Sequence, residues 1–173
     1  MSASLSSGGK SSNMPRVFIG MGSNIDRESN IRGGINAVRQ IFGDITLSSI
    51  YESRAYGFEG ENFYNLVAAF DTDLSLDDLT EKLREIEYSF GRKRNEKRFL
   101  SRTLDIDLLV YDDIVRHDDK FDLPRQDIID YAFVLCPLAE IAGEQKHPEK
   151  GQTFNEMWKN FDRSQQELWP VSL

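Results

Sequence analysis

Residues 102–113 read RTLDIDLLVYDD. The Leu, Ile and Val of this run suit a buried strand, yet Asp105 and Asp107 interrupt it. Residues i and i+2 of a strand point the same way, so the two carboxylates share one face. Leu104, Ile106 and Leu108 take the other. Two carboxylates side by side repel, and one keeps its proton unless a cation joins them. Mg²⁺ suits such a pair: it takes one or two carboxylates and completes its shell with water and substrate phosphates. An edge strand whose acidic face is simply solvated fits the same residues, and this stretch alone leaves both readings open.

The segment before it, GRKRNEKRFLSR (91–102), carries Arg92, Lys93, Arg94, Lys97, Arg98 and Arg102 against one acid, Glu96. Taken alone it reads as a solvated basic loop. Beside a carboxylate pair it supplies what phosphoryl transfer needs, cations for phosphate oxygens next to a metal site. The planar fork of arginine suits phosphate better than the point charge of lysine.

A third feature is the loop RAYGFEGENFY (54–64), with Tyr56, Phe58, Phe63 and Tyr64. Exposed loop aromatics stack on flat ligands, although any one of them also fits a core. Asn65 follows, and an amide pairs with the donor and acceptor edge of a heterocycle. Phe133 is a further platform. GMGSNI (20–25) fails as a dinucleotide fingerprint, since Ile25 stands at the third glycine position, and there is no P-loop lysine motif.

Outward from these motifs, hydrophobic periodicity predicts strands over 16–24, 45–53, 65–74 and 103–111 and helices over 28–42 and 76–90. A small hairpin is expected around Ile114–Val115, with further helices over 131–143 and 153–161. The order strand, helix, strand, strand, helix, strand is the βαββαβ pattern of an α+β, ferredoxin-like antiparallel sheet with helices on one face, followed by a C-terminal helical extension.

The 173 residues hold 39% hydrophobic and 29% charged side chains, which fits one domain, expected over 14–173. The Ser/Gly-rich start, 1–13, reads as a disordered leader or tag. A net charge of −8, from 21 basic and 29 acidic residues, argues against a nucleic-acid partner. No run approaches the ~20 apolar residues of a membrane helix. One cysteine and the absence of a signal peptide favour the cytoplasm. A monomer is expected.

The motifs together resemble the bacterial 6-hydroxymethyl-7,8-dihydropterin pyrophosphokinases of folate synthesis. The matching pieces are GSN (22–24), YESRAYG (51–57), FYN (63–65), IEYSFGRKR (86–94), RTLDIDLL (102–109) and FVLCPLAEIA (133–142), in the family's order. The resemblance implies a ferredoxin-like fold and transfer of pyrophosphate from ATP to the pterin hydroxymethyl oxygen, with release of AMP. It implies that Asp105 and Asp107 hold two Mg²⁺ ions. Arg92 and Arg102 would stabilise the transferring phosphates, and Arg94 would close over them on a mobile loop. Glu87 would touch the ribose, Lys120 stands where the family carries a cationic ATP contact, and Arg125 where its histidine contacts ATP. Ser53 and Tyr56 would line the pterin pocket, Asn65 would bond the pterin edge, and Phe63 and Phe133 would pack on its ring. The loops 54–63 and 92–101 would order on nucleotide binding.

The sequence departs from the family's pattern mainly on the ATP side. Arg125 stands where a histidine is usual, Phe99 where a tryptophan is usual, and Tyr131 where an arginine is common. Arg54 and Ala55 replace prolines. These departures motivate an alternative, a pterin-binding paralogue with weak or no kinase activity.

Overall fold

The structure is a computed structural model that describes residues 14–55, 59–92 and 103–173. The leader 1–13, Tyr56, Phe58, and the basic stretch with Arg94, Phe99 and Arg102 lie outside the described residues.

The chain runs β1 (Arg16–Ser23), α1 (Arg27–Phe42), β2 (Thr46–Leu47), β3 (Ile50–Ser53), β4 (Phe63–Asp71), α2 (Leu76–Ser89) and β5 (Asp105–Tyr111). It continues through β6 (Arg116–His117), β7 (Asp122–Leu123), α3 (Asp127–Asp130), α4 (Ala132–Ala142), α5 (Phe154–Lys159) and β8 (Leu168–Val171). The main sheet has the order β5-β1-β4-β3-β8, with β2 also on β4. Every pairing in it is antiparallel. The path β5-β1-β4-β3 is the ferredoxin-like arrangement expected from the sequence.

Ile31 and Val38 of α1, and Leu79, Leu83 and Ile86 of α2, bury one face of the sheet against Val17, Ile19, Met21 and Leu66. Their helical spacing is what puts them on one stripe. α2 starts where Ser75 Oγ accepts from the Asp78 N–H at 3.2 Å, which satisfies one of the orphan donors of the first turn. Gly34 sits where α1 packs tightly on the sheet: a Cβ there would stand 2.8 Å from the Met21 methyl and 3.0 Å from a Leu104 methyl, so both side chains would have to shift to admit one.

The other face differs from expectation. It is covered as well, by α3, α4 and α5, whose Ile128, Leu135, Leu138 and Phe154 pack on Phe18, Val67, Ala69 and Leu109. The helices beyond the βαββαβ core are therefore a second layer, because that sheet face is as apolar as the first. The strand predicted over 45–53 breaks at Ser48: its N–H donates to the Val67 carbonyl and its hydroxyl accepts from the Val67 N–H, each at 2.9 Å. The hairpin is β6–β7, a few residues later than Ile114–Val115. β8 was not foreseen. Pro170 speaks against a strand, but β8 is the sheet's outer edge, where a missing N–H is tolerated. Among the described residues no helix is long and apolar enough to cross a membrane.

Candidate active site

The site is built on the sheet face that α4 covers, beyond the end of that helix. Asp105 pairs with Gly22 across β5 and β1, and Gly22 pairs with Asn65 across β1 and β4. Asp107 pairs with Gly20. Paired residues in neighbouring strands project to the same side, so the two aspartates and Asn65 share a face. Phe63, two residues before Asn65, and Ser53, opposite Phe63, join them. The alternating glycines of β1 leave the floor between the aspartates and Asn65 without side chains. A Cβ on Gly22 would stand 2.5 Å from Asn65 Oδ1. The Asn65 side chain thus lies over Gly22, and its amide is also within 3.4 Å of Ser53 Oγ.

The acidic residues are already engaged. β5 is the open edge of the sheet, and the Ile106 N–H on that edge donates to Glu87 Oε2 at 2.7 Å. Arg92 Nη1 bridges Glu87 Oε2 at 2.6 Å and Asp105 Oδ1 at 3.0 Å. Burial pushes the Glu87 carboxyl up, while the bond from Ile106 and the charge of Arg92 oppose it. Arg125 Nη2 stands 3.7 Å from Asp107 Oδ1, and its Nε donates to Asp127 at 3.1 Å. The Asp107 carboxyl is pushed up to about 7, by burial first and by the neighbouring Asp105 charge second, with Arg125 opposing. A carboxylate pair in that condition accepts a hard cation, which removes the mutual repulsion. The fit to Mg²⁺ is chemical: two carboxylates on one face, bordered by open clefts with room for further oxygen ligands.

Two clefts flank this row. One, of about 280 Å³, runs between α2, the edge of β5 and the β6–β7 hairpin, and is lined by Glu87, Arg92, Asp107, Lys120 and Arg125 among others. Lys120 Nζ is ion-paired with Asp77 near the start of α2. The other, of about 360 Å³, lies against Ser53, Arg54, Ala55, Phe133 and the C-terminal segment 164–168. Phe133 stacks on Tyr131, with ring centroids 5.1 Å apart and planes 20° apart.

The described candidates therefore converge on one stretch of surface. Glu87, Arg92, Lys120 and Arg125 line the basic cleft, Ser53 and Phe133 the second, and Asp107 the first beside Asp105. Tyr56, Arg94 and Arg102 lie outside the described residues. Sequence reasoning missed Asp127 as the partner of Arg125, the glycine floor, and the segment 164–168. The floor had a signal: glycines at i and i+2 in a strand mark a face where something approaches closely.

Comparison with known proteins gives a consistent answer. The family described as 7,8-dihydro-6-hydroxymethylpterin-pyrophosphokinase (HPPK) matches residues 18–143. The chain is 35% identical over 137 residues to the 2-amino-4-hydroxy-6-hydroxymethyldihydropteridine pyrophosphokinase of Aquifex aeolicus, covering 78% of this chain and 85% of that one. It is 32% identical over 152 residues to the enzyme of the same name from Haemophilus influenzae, covering 86% and 94%. Its fold is similar to that of wild-type HPPK-DHPS of Plasmodium falciparum, with TM-score 0.66 and 13% identity, over 85% of this chain and 44% of that one.

Proposed function

We propose a division of labour among these residues from one premise: the chain belongs to the 7,8-dihydro-6-hydroxymethylpterin-pyrophosphokinase family. It is an ATP-dependent pyrophosphokinase of folate biosynthesis. It transfers pyrophosphate from ATP to 6-hydroxymethyl-7,8-dihydropterin, giving the pterin diphosphate and AMP.

The observation that carries the residue assignment is the row Asp105–Gly22–Asn65, which sets the carboxylates and the amide on one glycine-floored face. In this reading the basic cleft takes ATP and the second cleft takes the pterin, with the aspartates between them. Asp105 and Asp107 hold two Mg²⁺ ions. Bound Mg²⁺ neutralises phosphate charge and lowers the pKa of a coordinated hydroxyl.

The protein's own contribution is positioning and charge, since transfer at phosphorus needs little covalent chemistry from the enzyme. Arg92 neutralises the transferring group, helped by Arg102 and Arg94. Lys120 and Arg125 bind the nucleotide phosphates, and Glu87 faces the ribose while it fixes Arg92. Asn65 bonds the pterin edge, Ser53 and Tyr56 line its pocket, and Phe63 and Phe133 pack on its ring. The same reading takes residues 14–173 as one domain and the protein as a cytoplasmic monomer. Arg125 is one of the departures that motivated the paralogue alternative, yet it lines the basic cleft beside Asp107, where a phosphate cation is useful.

Calorimetric titration tests the assignment. A non-hydrolysable ATP analogue with Mg²⁺ gives heat, and a pterin analogue then gives heat that depends on the first step. Pterin heat without nucleotide heat would restore the paralogue.

A further inference from the structure

The cleft of about 360 Å³ has three walls. Ser53–Ala55 form one, and Ala132 and Phe133 the second. The third is the C-terminal segment Ser164–Leu168, beyond the residues 18–143 that carry the family's pattern. This third wall is tied to the other two. Leu168 of β8 pairs with Ser53 of β3, which fixes the segment to the sheet. Two residues earlier, the half-buried Gln166 reaches the start of α4. Its Oε1 accepts from the Ala132 N–H at 2.9 Å, and its Nε2 donates to the Asp130 carbonyl at 3.0 Å.

These two bonds sit where α4 lacks a local solution. The first N–H groups of a helix have no partner within it, and the N-cap residue Tyr131 makes no side-chain cap. Gln166 supplies the missing acceptor from a residue distant in sequence. One amide grips residues 130 and 132, on both sides of Tyr131, and so fixes the extended backbone of Tyr131 between α3 and α4. Tyr131 in turn stacks on Phe133. The path Ser53–Leu168–Gln166–Ala132–Phe133 closes around the cleft.

We propose that Ser164–Leu168 is the outer wall of the pterin cleft, and that Gln166 is a positioning residue that sets Phe133 on the pterin ring. This rests on the assignment of that cleft to the pterin. Gln166 does not act on the phosphates, so its loss is felt in pterin binding and not in ATP binding or the chemical step. Losing the two bonds strands the Ala132 N–H, a cost confined to the start of α4, and a thermal melt of each variant measures it.

The experiment uses the full chain and two variants. Gln166→Leu keeps the volume and removes both bonds. Gln166→Glu keeps the acceptor for Ala132 and loses the donor to Asp130. We expect Gln166→Leu to raise the KM for hydroxymethyldihydropterin about ten-fold, with the KM for ATP and kcat within about two-fold of wild type. Gln166→Glu falls between and decides the matter if the leucine variant does not fold. Fluorescence titration with a pterin analogue follows the same order. An unchanged pterin KM, or a parallel loss of kcat, both KM values and thermal stability, overturns the inference while the function stands. A wild-type protein that binds no pterin overturns the cleft assignment and the inference together.

Discussion

Arg92 Nη1 lies 3.0 Å from Asp105 Oδ1 while Glu87 holds the same nitrogen from the other side. The guanidinium is thereby fixed at the border between the basic cleft and the carboxylate pair. Arg92→Ala is expected to lower kcat by about a hundred-fold, the scale for removing one preorganised charge partner of a transition state. Arg92→Lys is expected to recover little, because a single ammonium cannot reproduce the planar fork. Steady-state kinetics with circular dichroism checks both; a kcat within two-fold of wild type in Arg92→Ala contradicts the role.

Gly22 tests the floor of the site. A Cβ there meets Asn65 Oδ1 at 2.5 Å, so the Asn65 amide must move. Gly22→Ala is expected to weaken pterin binding by about ten-fold, the cost of roughly one hydrogen bond, and to leave ATP-analogue affinity unchanged. Equal losses for both ligands would mean that the sheet itself is distorted.

The Asp107 carboxyl, raised from 3.8 to about 7, makes a signed prediction. Between those two values the folded protein holds a proton that the unfolded chain has released. Stability without added metal or nucleotide therefore falls as pH rises through that window and levels above it. A cation needs the carboxylate, so affinity for metal–nucleotide runs the opposite way, rising with pH to about 7 and then flattening. Thermal melts and titrations from acid to neutral pH measure both slopes. In Asp107→Asn both should flatten, and an unchanged pair of slopes would assign the titration to another group.

Asp105→Ala and Asp107→Ala are each expected to lower turnover by about a thousand-fold or more, since positioning and charge neutralisation are nearly the whole of the catalysis. Chelation of divalent metal should do the same to the wild-type protein. Near-normal rates in either variant would remove the metal assignment.

The elements around the deciding stretch were legible because their patterns are strong. Leu104 and Ile106 are buried on one face and Asp105 and Asp107 stand on the other, as period-two alternation requires. Leu79, Leu83 and Ile86 report α2 in the same way. What stayed hidden depends on tertiary partners. Nothing local in LWPV marks β8, whose reason to be extended is the free edge of β3. Gln166 looks like any polar loop residue until α4 brings Ala132 and Asp130 to it. Asp127 is a first-turn acid of α3 by sequence and the anchor of Arg125 by geometry. Of the second layer, α4 and α5 were legible as helices while the single turn of α3 was not, and the layer's place was hidden because periodicity does not say which sheet face a helix covers.

The identity of the products distinguishes pyrophosphoryl transfer from every other phosphotransfer. The purified protein with ATP, Mg²⁺ and 6-hydroxymethyl-7,8-dihydropterin is separated by anion exchange after a timed reaction. AMP and the pterin diphosphate are expected in equal amounts, and both are lost in Asp107→Ala. ADP with a pterin monophosphate, or no nucleotide product at all, would contradict pyrophosphoryl transfer.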